Sequence, residues 1–224
     1  ATNANNSNTV NNFPASLTPA SNTIIPLNDN GILDLSSTYV KSGVYTFRRV
    51  DLTNGSSDYM LQVGEEAIIN FNNISTVYFR IAIPEPASPL NPVVYQIIIK
   101  VYYASNINMD FWFYPNNTTY SSQMSYLGYM HGDNGWTKSS GTQSYFFVDT
   151  YGGSGDNVPW FGNLYAVYYG AGFPKNLYSV TYSNMSVAIT SNIWNNTTTP
   201  WTSLGSFTLY NRNISGKAIV RRVA

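Results

Sequence analysis

Eleven consecutive residues at positions 93–103, VVYQIIIKVYY, carry a single charge at Lys100 and are otherwise almost wholly β-branched or aromatic. Such side chains lose rotamer freedom in a helix and pack well on a pleated surface, so the run reads as a strand. With so little polarity on either alternate set of positions, it is expected to be buried on both faces, in the core or in a subunit contact. Pro84, Pro86, Pro89 and Pro92 stand just before it. Each removes a backbone donor and fixes φ, which leaves a surface loop as the only reading there. The same strand-like texture recurs in VYTFRRVDL, DYMLQV, AIINF, VYFRIAI, MDFWFY, SYFFVD, LYSVTYSNMSVAI, SLGSFTLY and KAIVRRV. Residues 53–56, Thr-Asn-Gly-Ser, read as a hairpin turn between two of these runs, and Asn72-Asn73 as a turn between two more. Glu65-Glu66 reads as a solvated strand edge. No stretch shows sustained helical periodicity with caps, and no repeat of fixed period stands out. The expected fold is all-β, an antiparallel β-sandwich of jelly-roll-like form.

Length allows one such sandwich with a substantial core plus a tail: 224 residues would crowd two full domains. The tail is residues 1–40. Its first twenty are dominated by Asn, Ser and Thr, with Val10, Phe13 and Leu17 as the large apolar residues, too few to bury a core. The sandwich is assigned to residues 41–224. Eleven basic residues balance eleven acidic ones, which excludes a field that would steer nucleic acid or anionic membrane. Only 10% of residues are charged while 16% are aromatic, including nineteen Tyr and five Trp. A single domain of that composition would expose large apolar patches unless other subunits or a ligand covered them, so an oligomer is expected. Cysteine is absent, which removes disulfides, thiolate metal sites and thiol nucleophiles. No apolar run reaches transmembrane length, so membrane insertion is not expected. The chain begins at Ala1 rather than Met, as a processed protein or a piece of a longer polypeptide would.

Residues 21–40 join tail to sandwich. Pro26 holds Ile25 extended and Asn30-Gly31 provides a turn position with positive φ. Asn22, Ile25, Pro26, Leu27, Asp29, Gly31, Leu33, Asp34 and Ser36 form a pattern, N-x-x-I-P-L-x-D-x-G-x-L-D-x-S. It resembles a passage in tail-fibre and receptor-binding proteins of tailed bacteriophages, just ahead of their distal β-rich domain. Residues 58–82 are similar to the opening strands of such domains, and the closing SGKAIVRRVA to their last strand. Together these passages cover well under half of the chain. The resemblance implies a receptor-binding tip domain behind an extended connector, a homotrimer, and attachment of the N-terminal segment to other virion tail or fibre proteins. It further implies a place on the virion after assembly in the host bacterial cytoplasm, and binding to host cell-surface polysaccharide or glycan rather than cleavage. A structural head fibre, collar or decoration protein without receptor contact is the rival expectation, and a polysaccharide depolymerase the third.

The residue inventory is consistent with a binder. His131 is the single histidine, and no G-x-S-x-G elbow accompanies it, so a serine-hydrolase triad has no natural frame. Glycoside cleavage would need two carboxylates converging across a sugar, for which Asp110, Asp133, Asp149 and Asp156 are the candidates. Asp133-Asn134-Gly135 and Asp156-Asn157 lack the alternating acidic spacing of a calcium loop and read as Asx-stabilised turns. Neither a catalytic residue, a metal site nor a cofactor is therefore assigned. Between residues 114 and 175 Gly, Asn and Asp alternate with Tyr, Trp and Phe, as in recognition loops at one end of a β scaffold. A pyranose has a C–H face that stacks on aromatic rings and a hydroxyl rim that hydrogen-bonds to Asp and Asn. Tyr129, His131, Asp133 and Trp136 offer that mixture in one loop. Tyr151, Asp156, Asn157, Trp160 and Phe161 offer it in a second. The expected ligand surface is these nine residues, against the alternative that Trp136 and Trp160 plug the core.

Overall fold

The computed structural model describes residues 58–104, 109–121, 123–132, 135–151, 159–183, 187–209 and 213–224. Of the remainder it describes the strands Thr9–Val10, Phe13–Pro14 and Arg48–Asp51. By its contacts the chain divides into two compact units, Ala1–Thr46 and Phe47–Ala224. In the first, β1 (Thr9–Val10) pairs antiparallel with β2 (Phe13–Pro14), Thr9 opposite Pro14 and Val10 opposite Phe13.

The second unit is an all-β sandwich of two sheets. Its strands in chain order are β3 (Arg48–Asp51), β4 (Glu65–Ile74), β5 (Thr76–Tyr78), β6 (Val93–Ala104), β7 (Met109–Tyr114), β8 (Met124–Gly132) and β9 (Gly135–Gln143). They continue with β10 (Phe146–Tyr151), β11 (Trp160–Tyr168), β12 (Lys175–Ser183), β13 (Val187–Trp194), β14 (Ser206–Leu209) and β15 (Ile214–Arg222). The large sheet has nine strands in the order β3-β4-β15-β6-β11-β12-β13-β8-β9, and the small sheet four in the order β10-β7-β14-β5. Every pairing is antiparallel except that of β3 with β4.

Period-two alternation explains how each large-sheet strand is used. In β11 Trp160, Gly162, Leu164, Ala166 and Tyr168 are buried, while the residues between them face outward. The inner rows meet Phe111, Phe113, Phe146 and Phe207 from the small sheet, and Phe79 and Trp201 from the segments beside it. Phe111 stacks on Trp160 with ring centroids 4.2 Å apart, and Phe207 lies 5.4 Å from Phe111 and 5.5 Å from Trp160. Offset and edge contacts of this kind add to the burial of the rings themselves.

A polar seam runs through this greasy interface. Strand β10 carries a bulge between Phe147 and Asp149, so the run from Phe146 to Asp149 is buried without alternation. The bulge leaves Val148 without a register partner on β7, and Asn192 on β13 bonds the backbone of Phe147 beside it. Phe147 N–H donates to Asn192 Oδ1 at 2.8 Å, and Asn192 Nδ2 donates to Phe147 O at 2.8 Å. Thr190 Oγ1 donates to Phe147 O, and Ser179 Oγ to Val148 O, at 3.2 and 3.3 Å. The hydroxyls of Ser179 and Thr190 are also within hydrogen-bonding reach of each other, and since each has one proton, when one donates to its neighbour the other donates to its carbonyl. Thr181 Oγ1 and Trp160 Nε1 both donate to Asp149 Oδ2, at 2.7 and 2.9 Å. Two sheets are thereby fixed in one register rather than free to slide on a uniform apolar surface.

Several sequence expectations need correction. The hairpin turn expected at residues 53–56 lies outside the described residues; the strand before it, β3, pairs in parallel with β4. Asn72 and Asn73 are inside β4 rather than between strands. There Asn73 adopts φ 53° in a bulge of β4, where Asn72 and Asn73 face the single residue Ser215 of β15. Glu65 and Glu66 are buried, not a solvated edge. Glu65 Oε2 accepts from Gln62 N–H at 2.9 Å, and Glu66 Oε2 accepts from Arg221 Nε at 2.9 Å. Strand β6 buries one face only: Val93, Tyr95, Ile97, Ile99 and Val101 point inward, whereas Val94, Gln96 and Ile98 are half-buried and Lys100 is exposed. The proline-rich segment is a loop, as expected.

Two predictions follow from the packing. Asn192→Ala leaves a buried N–H and a buried C=O short of partners, so it should cost roughly 3 kcal/mol in denaturant unfolding with an unchanged m-value. Alkaline titration supplies the second. Burial pushes Tyr95 and Tyr168 up to about 12, and Glu85, which accepts from Tyr168 Oη at 2.6 Å, adds to the latter. Both phenols ionise at the ordinary 10.0 once unfolded, so the stability they contribute is fully present below pH 10 and is lost between pH 10 and 12. The loss amounts to on the order of 5 kcal/mol for the pair. Burial lowers Lys175 and works in the opposite sense below its ordinary 10.5. Denaturation midpoints from pH 8 to about 11.5 should show the fall, and Tyr168→Phe should flatten it.

Candidate functional site

Outward-facing residues of the large sheet line up in rows across the strands, because antiparallel pairing places register partners on the same face. One row lies near the end of the sheet where β8 meets β9. It runs from Lys217 on β15 to Lys100 on β6, Phe161 on β11 and Tyr182 on β12. It continues through Val187 on β13 and His131 on β8 to Trp136 on β9. Seven strands at a spacing of about 4.8 Å make the row roughly 29 Å long. Phe161 and Tyr182 have ring centroids 6.2 Å apart, and Lys100 Nζ lies 6.0 Å from the Phe161 centroid. His131 and Trp136 meet edge to face at 5.1 Å. The next row inward places Val180, Ile189, Tyr129 and Lys138 side by side. Tyr129, Trp136, Tyr182 and Ile189 are all exposed, Trp136 by 57%.

Alternation sets this arrangement. Trp160 must turn inward to stack on Phe111 and to reach Asp149, so Phe161 turns outward. Gly162, the next inward position, leaves room for the indole: a Cβ there would lie 2.4 Å from a Trp160 ring atom. In β8 Gly128 faces inward against Thr190, which leaves Tyr129 and His131 on the open side.

The nine residues expected at the ligand surface separate on this frame. Tyr129, His131, Trp136 and Phe161 come together on the outer face, on strands rather than on loops. Trp160 goes to the core, 2% exposed, where its ring cannot stack on a sugar. Tyr151 ends β10 opposite Met109. Asp133, Asp156 and Asn157 lie outside the described residues. Among the described residues, the segment from 114 to 175 is mostly the hairpin β8–β9 with strands β10 and β11. Of the four candidate carboxylates, Asp149 is 1% exposed and accepts from Thr181 and Trp160, so it is not open to substrate. Asp110 is on β7 of the small sheet.

Tyr182, Lys100 and Lys217 are functional candidates that sequence reasoning missed. Lys100 was legible as the lone charge in an apolar strand. Tyr182 was legible from the alternation of Tyr178, Val180 and Tyr182 in β12, whose inner positions are Leu177, Ser179 and Thr181. Nothing in the sequence alone places Lys217 beside Lys100. Comparison with known proteins finds no matching family, no matching curated protein and no matching solved structure.

The two tryptophans should therefore separate on substitution. Trp160→Ala removes a stacked, hydrogen-bonded core ring and should cost roughly 3–5 kcal/mol, while Trp136→Ala should stay within about 0.5 kcal/mol. Thermal unfolding of the two variants reads the difference.

Proposed function

We propose that this chain is the receptor-binding tip of a tailed-bacteriophage fibre, attaching the virion to host cell-surface glycan. The observation that carries the reading is the row Phe161, Tyr182, His131 and Trp136 on the outer face of the large sheet, with Phe161 half-buried, the other three exposed and Val187 between Tyr182 and His131. Rings presented on strands lose little entropy on binding, and they match the C–H faces of successive sugars. Binding rather than cleavage is the proposed activity. The resemblance of residues 22–36 to fibre connectors supports the assignment to a fibre and, with it, a virion location. The N-terminal segment would join other tail or fibre proteins.

A homotrimer belongs to the same proposal. Tyr165, Tyr178, Leu127 and Ile193, on rows further from the ring line, are also exposed, and a neighbouring subunit would cover such a face. Three copies of a weak site on one tip, repeated over a virion, raise avidity through effective concentration.

Carbohydrate arrays probed with the intact oligomer test the reading, with light scattering giving its mass. Trp136→Ala and Tyr182→Ala should each weaken single-site binding by about ten-fold while the fold stays intact. Unchanged binding in both variants would remove the ring row from recognition.

A further inference from the structure

Lys100 and Lys217 are direct cross-strand partners on the outer face, at the end of the ring row. Like charges placed opposite each other on a sheet destabilise it. Lys138 adds a third cation, opposite Tyr129. Among the described residues none of the three lysines is in an ion pair. Glu66, on the same sheet, is already held by Arg221 at 2.9 Å and by Arg49 at 3.5 Å. The chain as a whole is neutral, and among the described residues of this row the charged side chains, Lys100 and Lys217, are both cationic.

Resting on the glycan reading above, we infer that the ligand is an acidic polysaccharide, with carboxylate or phosphate groups that lie against Lys100 and Lys217 while its rings cross Phe161, Tyr182 and Trp136. A neutral glycan would use the rings and leave two opposed ammonium groups unanswered. An anionic one relieves their repulsion on binding, and that relief adds to its affinity. The row is also long enough to hold charge and rings in contact with one continuous chain. Lys100, standing near the face of Phe161, marks where the charged and stacking portions meet.

The test uses the whole protein with three immobilised probes of matched length: polygalacturonate, phosphorylated dextran and neutral dextran. Either anionic probe should bind about ten-fold tighter than dextran, with the advantage shrinking as salt rises from about 50 to 200 mM. Preference for one anion over the other tells carboxylate from phosphate. The double variant Lys100→Gln/Lys217→Gln should lose the preference yet keep its melting temperature or gain a degree or two. The Lys→Arg pair should retain the preference. Equal binding of acidic and neutral probes, or a double Gln variant that still prefers anions, overturns the inference while leaving the ring row as a glycan site. A lower melting temperature, or self-association lost with the lysines, assigns them to structure or to a subunit contact and also overturns it. Binding of none of the three probes defeats this inference; whether the parent reading falls with it is decided by the array.

Discussion

Asn192 grips the backbone of Phe147 by both ends of its carboxamide, and the geometry of the sandwich depends on that grip. Aromatic surfaces are tolerant partners: Phe, Trp and Leu from two sheets would pack in many relative positions at similar free energy. A buried amide that satisfies both the N–H and the C=O of one residue on the facing sheet selects among them. Thr190, Ser179 and Thr181 extend the selection along the bulge of β10, and Asp149 carries it to the indole of Trp160. Once Trp160 is pinned inward, strand geometry leaves Phe161 no side but the outer one. The row of outer-face rings is thus set by a polar contact on the opposite face of the same sheet.

Much of the architecture was legible before any coordinates. β6, β7, β10, β12, β13, β14 and β15 all coincide with β-branched or aromatic runs, because burial of one face demands large apolar side chains at alternate positions. Strand β9 was not legible, since GWTKSSGTQ is an edge strand exposed on most positions and needs no apolar alternation. Its partner β8 was obscured by Gly128, where a Cβ would crowd the Thr190 methyl at 3.1 Å across the strand pair. The parallel pairing of β3 with β4 was out of reach because turn chemistry at residues 53–56 suggests a local hairpin, whereas pairing is decided by tertiary contacts. Of the expected ligand surface, the residues at strand positions 129, 131, 136 and 161 gathered on one face. Trp160 did not, because an inward neighbour of an outward ring is indistinguishable from it in composition.

The unusual surface chemistry has a structural explanation. Charge is scarce and aromatic residues abundant, yet the core accounts for only part of the abundance. Tyr129, Tyr165, Tyr178 and Tyr182 stand exposed on the outer face. Burial, with Tyr169 adding to it, raises the phenol of Tyr178, so even this open face is not fully wetted. Gln96 ties itself to Asn163 and to the hydroxyl of Tyr165 on the neighbouring strand, an amide-and-phenol surface doing the solvating that charges do elsewhere.

Strand β9 hydrogen-bonds to β8 alone and closes the sheet at its far margin. Trp136 and Lys138 therefore sit where replacement disturbs no third strand and reaches no buried seam. A lineage could rewrite this margin residue by residue while the interior stays under separate and stricter selection.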